Sequence, residues 1–162
     1  MIDEFVVYRK KLSSRVCHMK SALIALLAIC LCLPLVADDY LKKKIEERKA
    51  KAEMGDAEAA FSHGLMYESG QVVAKAPKEA VKWYNKAAEL GHAEAQFNLG
   101  QMYYYGKGVP QNFKDAAKWY SKAAEQRHSG AQFWLGGMYC YGKGVIKNPK
   151  EAVKWYRKAA VK

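Results

Sequence analysis

Residues 91–126 read GHAEAQFNLGQMYYYGKGVPQNFKDAAKWYSKAAEQ, and the 36-residue segments on either side repeat this pattern. The three copies cover residues 55–90, 91–126 and 127–162 without an insertion, and 15 of the 36 positions are identical in all three. A fixed period of this size is typical of a solenoid, because each copy is too small to bury its apolar side alone. The repeat therefore predicts an extended binding surface in place of an enclosed active site.

Apolar residues recur at three- and four-residue steps in both halves of the middle copy, which predicts two helices per copy and an all-α fold. The first helix of the middle copy is expected over about residues 92–104. Gly106 and Gly108 follow it, and they can adopt the positive φ angles at which helices end.

The second helix of each copy has a sequence signal for its start. Asn112 and Asn148 are N-cap residues, each followed three residues later by an acidic residue. In the first copy Ala76 replaces the asparagine, and Val72 replaces the glycine found at that loop position in the other two copies. We therefore expect the first loop to differ in shape and its following helix to lack a side-chain cap.

The repeated pattern A-x-F-x-x-G-x-M-Y-x-x-G, a loop, and K-x-A-x-K-W-Y-x-K-A-A closely resembles the Sel-1-like repeat, a relative of the tetratricopeptide repeat. In the middle copy it is carried by Ala95, Phe97, Gly100, Met102, Tyr103, Gly106, Lys114, Ala116, Lys118, Trp119, Tyr120, Lys122, Ala123 and Ala124. The resemblance covers residues 55–162. It implies a right-handed α-solenoid of three antiparallel helix pairs and an adaptor or scaffold function, without naming a partner.

Residues 1–37 have the features of a secretory signal peptide. Met19 and Lys20 precede an apolar run, and Ala37 is a small residue at which cleavage is expected. The alternative, an uncleaved membrane anchor, is disfavoured because the apolar stretch, residues 22–37, is shorter than the roughly 20 residues that span a bilayer. Residues 1–18 are either an extended basic n-region or the result of an upstream start codon, with Met19 as the true start. The leader predicts a periplasmic or secreted protein.

Cysteine usage agrees with export. Cys17, Cys30 and Cys32 precede the expected cleavage site, so that the mature chain retains only Cys140 and forms no intramolecular disulfide. Cys140 is interpreted as an inert, partly buried thiol, because no basic neighbour that would lower its pKa is evident in the sequence.

Residues 38–54 are rich in charge and free of Gly and Pro, and they predict a helix that caps the first repeat. The third copy has no such segment after it in this sequence. A terminal repeat normally needs a polar outer face, so the surface of the third copy is a candidate site for self-association or for a docking partner.

The expected mature chain, residues 38–162, carries 22 Lys and Arg against 14 Asp and Glu, a net charge of +8. Nine lysines lie at four-residue steps in the second helices, so that stacked copies would form a three-by-three basic array. The array consists of Lys78, Lys82, Lys86, Lys114, Lys118, Lys122, Lys150, Lys154 and Lys158. It is interpreted either as a solvated outer surface, which we favour, or as a patch for anionic lipid or glycan. Nucleic acid is not expected, since no aromatic residue is interleaved for base stacking.

One face of the first helices varies between copies while the rest repeats. The face changes from acidic and polar in the first copy to aromatic in the third, and aromatic side chains there would seat a peptide or a sugar. Drift on a solvent-exposed face is the alternative. The residues predicted to bind a partner on this concave side are Glu58, Ser62, Glu94, Asn98, Gln101, Tyr105, Trp134 and Tyr141.

No catalytic, metal-binding or cofactor motif is evident, and the histidines His63, His92 and His128 are interpreted as structural or solvated. Cysteine-rich relatives that act on β-lactams carry a cysteine pair in each repeat, which this chain lacks, so such an activity is not expected. The sequence therefore predicts an exported, non-enzymatic module that binds a protein or peptide. The alternative is an envelope protein whose lysine array binds an anionic surface.

Overall fold

The computed structural model describes residues 39–161 of the chain. Residues 39–44 are helical and belong to a different unit from residues 45–161. The predicted signal peptide, residues 1–37, lies outside the described residues. The helices are α1 (39–53), α2 (Ala57–Ser69), α3 (Pro77–Glu89), α4 (Ala93–Tyr105), α5 (Phe113–Glu125), α6 (Ser129–Tyr141) and α7 (Pro149–Ala160).

The predicted all-α solenoid of three helix pairs is confirmed. We call the pairs repeat 1 (α2 and α3), repeat 2 (α4 and α5) and repeat 3 (α6 and α7). From α2 to α7, consecutive helices pack on one another, and residues 39–161 contain no β-strand. None of the helices within this range is long and apolar enough to cross a membrane.

The ends of the helices follow the sequence signals. Asn112 accepts hydrogen bonds at its side-chain oxygen from the amides of Lys114 and Asp115, at 3.0 and 3.2 Å, and Asn148 accepts one from Glu151 at 3.2 Å. Ala76 forms no such bond, so α3 lacks the cap that its counterparts have. Each first helix ends at a glycine in the left-handed conformation, namely Gly70, Gly106 and Gly142.

The glycine in the middle of each first helix makes room for a tyrosine of the second helix. A Cβ atom at Gly100 would lie 2.7 Å from the ring of Tyr120, and one at Gly64 would lie 2.6 Å from that of Tyr84. Both tyrosines are fully buried among alanines. The small residues of the motif therefore let the two helices of a repeat approach closely around one aromatic ring.

A second glycine, in the loop between the two helices, contacts the preceding repeat. Gly108 has a φ of +74°, and a Cβ there would lie 2.5 Å from the carbonyl oxygen of Pro77 at the start of α3. A Cβ on Gly144 would likewise overlap with the carbonyl oxygen of Phe113. Val72 has this loop position in repeat 1 and is 42% exposed. The first loop differs from the other two, and it can carry a side chain because no second helix of another repeat precedes it among residues 45–161.

Residues 45–53 of α1 contact repeat 1. Ala52 is fully buried in the same core cluster as Ala60, Ala80 and Tyr84, and the guanidinium of Arg48 lies 3.5 Å from the sulfur of Met66. Repeat 1 is therefore covered by helical residues on the side where repeats 2 and 3 have another repeat.

Candidate binding surface

Aromatic residues of the variable face come together where repeat 2 meets repeat 3. The ring of Trp134 lies 5.1 Å from that of Tyr104, 5.9 Å from that of Tyr105 and 6.1 Å from that of Tyr120. Trp134 is half-buried by these contacts, so it also holds the two repeats together. Tyr105 is 49% exposed and Tyr141 is 75% exposed, and both are available to a partner.

A cleft of about 210 Å³ lies beside this cluster. Its walls are mostly aromatic, from Tyr104 at the end of α4 to Tyr156 in α7. The lining residues are Tyr104, Phe133, Trp134, Gly137, Met138, Tyr141, Lys143 and Tyr156. Small-molecule sites usually enclose roughly 300 to 1,000 Å³, so this cleft has the size expected for one large side chain of a partner.

Lys143 supplies the charge in this cleft. Its ammonium group donates a hydrogen bond to the hydroxyl of Tyr104 at 3.1 Å and lies 5.3 Å from the centre of the same ring. It also lies 5.4 Å from the centre of the Phe113 ring. An ammonium group held beside aromatic rings at the surface can pair with a carboxylate of a partner.

At the other end of the predicted face, the acidic residues join consecutive repeats. The ring nitrogen Nε2 of His92 lies 3.0 Å from the carboxylate of Glu58, and that of His128 lies 2.8 Å from the carboxylate of Glu94. Both carboxylates contact the next repeat, while the side chains of Glu58 and Glu94 remain 74% and 50% exposed. Their binding of a partner stays a prediction.

The three remaining predicted residues, Ser62, Asn98 and Gln101, are half-buried and polar. Asn98 lies beside the hydroxyl of Tyr84, which donates a hydrogen bond to Glu68. Burial, followed by this bond to Glu68, raises the pKa of Tyr84. Of the eight predicted residues, Glu58, Glu94, Tyr105 and Tyr141 are exposed and the other four are half-buried, so the exposed aromatic part of the face consists of Tyr105 and Tyr141.

His92 and His128 are N-caps, a role that sequence reasoning missed. Nδ1 of His92 accepts a hydrogen bond from the amide of Ala95 at 3.2 Å, and His128 does the same for Ala131 at 3.0 Å. Because Nδ1 is the acceptor, the neutral ring carries its proton on Nε2 and donates it to the glutamate. Each ring also stacks on the phenylalanine of the preceding repeat, at 4.5 Å between centroids.

Buried polar residues were also missed by the sequence reasoning. The side-chain amides of Gln96 and Gln132 donate to the carbonyl oxygens of Ala88 and Ala124, each at 3.0 Å, at the end of the preceding second helix. His63, at a position that is leucine in the other copies, is almost fully buried, and its Nδ1 has no hydrogen-bond partner. Burial, followed by the charges of Lys49 and Arg48, lowers the pKa of His63.

The lysines of the basic array are exposed, apart from the half-buried Lys86, but several have partners within their own helix. The ammonium groups of Lys122 and Lys158 lie 4.4 and 4.1 Å from the centres of the Trp119 and Trp155 rings. Lys82 pairs with Glu79 at 2.7 Å, and Lys154 pairs in the same way with Glu151. These contacts are typical of a solvated helix surface.

Within residues 39–161, no three His, Cys, Asp or Glu side chains are grouped so as to hold a metal ion. Cys140, the free cysteine of this range, is half-buried near the end of α6. The arrangement of side chains offers aromatic rings and one ammonium group to a ligand, which is the chemistry of a binding surface.

The family model described as the Sel1 repeat matches the chain three times, over residues 57–92, 93–128 and 129–160. These matches begin two residues after the three copies identified in the sequence. Each match contains one of the helix pairs.

Solved structures of similar proteins share the fold. A protective antigen present in uropathogenic Escherichia coli strains, displaying an SLR fold, is 42% identical with a TM-score of 0.69; the match covers 72% of this chain and 25% of the antigen. A Sel1 repeat protein from Oxalobacter formigenes is 40% identical with a TM-score of 0.65, and the match covers 77% of this chain and 54% of that protein. The chain thus spans about a quarter and about half of these two proteins.

The cysteine-rich protein B of Helicobacter pylori is 31% identical with a TM-score of 0.58, and the match covers 75% of this chain and 87% of that protein. A comparison with curated proteins gives no match. Sel1 repeat proteins generally mediate protein–protein interactions and are typically non-enzymatic scaffolds.

Proposed function

The chain belongs to the Sel1 repeat family, and we propose that it is an exported, non-enzymatic adaptor that binds a protein or peptide on the variable face of its first helices. The observation that carries the proposal is the aromatic cluster between repeats 2 and 3, where Tyr105 and Tyr141 are exposed beside the cleft that Trp134 lines.

Exposed aromatic side chains in a cleft are the usual anchors of a protein interface. A few central aromatic or arginine residues carry most of an interface's binding energy, because they bury a large area at a low cost in conformational entropy. Tyr141, at 75% exposure, and Phe133, at 58%, both line the cleft and together add exposed apolar surface there. The acidic half of the predicted face contributes less, since Glu58 and Glu94 are engaged with histidines.

The test is partner capture by the mature chain and by two sets of variants. Tyr105→Ser with Tyr141→Ser removes exposed rings that do not support the core, so we expect capture to be lost while helicity is unchanged. The matched variant, Lys82, Lys118 and Lys154 to glutamate, should alter only the association rate and its salt dependence. If the lysine variant loses capture and the tyrosine variant keeps it, the lysine array is the site and an anionic lipid or glycan is its ligand.

Export is the part of the proposal that rests on residues 1–37. The expected outcome in a bacterial host is a periplasmic or secreted protein that begins at residue 38, as determined by N-terminal sequencing. A full-length chain in the membrane fraction that resists alkaline extraction would replace cleavage with a membrane anchor.

A further inference from the structure

The face of repeat 2 that contacts repeat 3 shows how such a surface is covered. The equivalent face of repeat 3, which we call its outer face, can be compared with it. In repeat 2, Phe97 is stacked on His128 and Tyr120 is fully buried under Trp134. The equivalent rings of repeat 3 are uncovered in the described part of the chain: Phe133 is 58% exposed and Tyr156 is only half-buried. The two rings contact each other, with their centroids 5.5 Å apart, and both line the cleft.

Two glycines make the face of repeat 3 different from the face of repeat 2. Gly137 replaces Gln101, and a Cβ there would lie 3.5 Å from the hydroxyl of Tyr156, so the missing side chain opens the cleft above that ring. Gly130 stands where repeat 2 has Glu94, whose carboxylate accepts a hydrogen bond from His128 at the junction of repeats 2 and 3. The face of repeat 3 therefore has room for a ring but no acceptor for a histidine, and it differs chemically from a repeat-to-repeat junction.

Charge distinguishes repeat 3 as well. Residues 127–162 contain 8 Lys and Arg against a single acidic residue, Glu151. Residues 55–90 contain 4 basic and 5 acidic residues, and residues 91–126 contain 4 basic and 3 acidic residues. The positive charge of the solenoid is thus concentrated in the repeat that has the open aromatic cleft, and Lys143 brings that charge to the cleft itself.

From these observations we propose that the outer face of repeat 3 binds an acidic segment of a partner protein, which inserts one aromatic side chain into the cleft that Phe133, Gly137 and Tyr156 help to line. The size of the cleft fits a single ring, and Trp134 against Tyr120 shows the packing that an inserted ring would adopt. Lys143 pairs with a carboxylate of the same segment. The inference rests on the proposed function, because it names the chemistry of the partner at that surface.

The test uses a short soluble peptide of Asp, Glu and Ser with one central Trp, titrated into the full chain by calorimetry. The decisive variant is Gly137→Leu, which fills the cleft with the residue that stands at the equivalent position Leu65. Ser129→Leu places the same side chain at an exposed position of the same helix, outside the cleft, and is the control. We expect Gly137→Leu to weaken binding by at least about tenfold and Ser129→Leu to leave it unchanged.

Two further arms separate the ring from the charge. A peptide with Ala in place of Trp should bind at least about tenfold more weakly, and Lys143→Glu should weaken binding where the equivalent Lys107→Glu does not. Equal binding of the Trp and Ala peptides, or equal binding to the Gly137→Leu variant, would overturn the insertion of a ring. A dimer in sedimentation that Gly137→Leu dissociates would show that a second copy of the chain is the occupant, which also overturns the proposal.

Failure of this inference and failure of the proposed function give different results. If the peptide does not bind but Tyr105→Ser with Tyr141→Ser still abolishes partner capture, the variable face remains the binding site and its partner has another chemistry. If capture survives Tyr105→Ser alone and the peptide binds in a Gly137-dependent way, the site is the cleft of repeat 3 and does not extend to Tyr105.

Discussion

Repeat 1 and repeat 3 have the same shared motif, yet they differ at the positions through which repeats contact one another. On its α1 side, repeat 1 has Asp56 and Ala60 where the later repeats have the capping histidine and the buried glutamine. On its outer side, repeat 3 keeps Phe133 uncovered, while Phe97 stacks on a histidine. The comparison shows that the invariant positions build each helix pair, whereas the variable positions determine what each pair can be joined to.

The largest expected effect contrasts the middle of the solenoid with its outer face. Trp119 is 8% exposed between two neighbouring repeats, and the equivalent Trp155 is half-buried. We expect Trp119→Ala to lower the free energy of unfolding by about 3 to 5 kcal/mol and Trp155→Ala to lower it by clearly less. Urea denaturation of the two variants measures the difference, and equal losses would mean that the outer face is as well packed as the core.

A substitution in the loop between the two helices is expected to destabilise repeat 2 more than repeat 1. Gly108→Ala places a strained residue at a φ of +74° and a methyl group against the start of α3, so a loss of about 2 to 3 kcal/mol is expected. Val72→Ala, at the same position of repeat 1, should be nearly neutral, because that side chain is exposed. Thermal unfolding compares them. Similar stability for both variants would contradict the close contact between repeats.

The smallest effect concerns His63, which distinguishes repeat 1 from the leucine of the other repeats. His63→Leu removes an unpaired buried nitrogen and should raise the free energy of unfolding by about 1 kcal/mol at neutral pH. Because burial lowers the pKa of folded His63, the unfolded chain takes up a proton on it first as the pH falls below about 6.5.

The stability of the natural chain should therefore fall relative to His63→Leu as the pH decreases from 7 to 5. Chemical denaturation at several pH values measures this difference, and His92 and His128 cancel because both proteins contain them. A constant difference across the range would show that His63 titrates alike in the folded and unfolded states.

The helices were predictable from the sequence because their signals are local. Asn112 and Asn148 are ordinary N-caps, and Gly106 ends its helix in the left-handed conformation that only glycine adopts easily. The predicted first helix of the middle copy, residues 92–104, is observed as Ala93–Tyr105. A histidine is an uncommon cap, so the role of His92 could not be read from its residue type.

The candidate site was predictable only in outline. The change from polar to aromatic side chains along the variable face was evident in the sequence, and it led to Tyr105, Trp134 and Tyr141. The packing of Trp134 on Tyr120 was not, because it depends on how far one repeat is rotated against the next. The contact that Glu58 makes with a histidine was hidden for the same reason, since that histidine lies 34 residues away in the next repeat.

The loop glycines also fix the spacing of whatever the solenoid recognises. Side chains between two repeats can change rotamer, which would allow one repeat to shift against the next. At Gly108 and Gly144, however, the backbone of one repeat contacts the backbone of the preceding repeat, and this contact cannot be shortened. Equivalent residues of neighbouring repeats, such as Tyr105 and Tyr141, are consequently held at a set interval. The binding surface is then rigid, so it selects partners whose anchor residues have the same spacing. Binding to a rigid surface also avoids the entropic cost of ordering a flexible one.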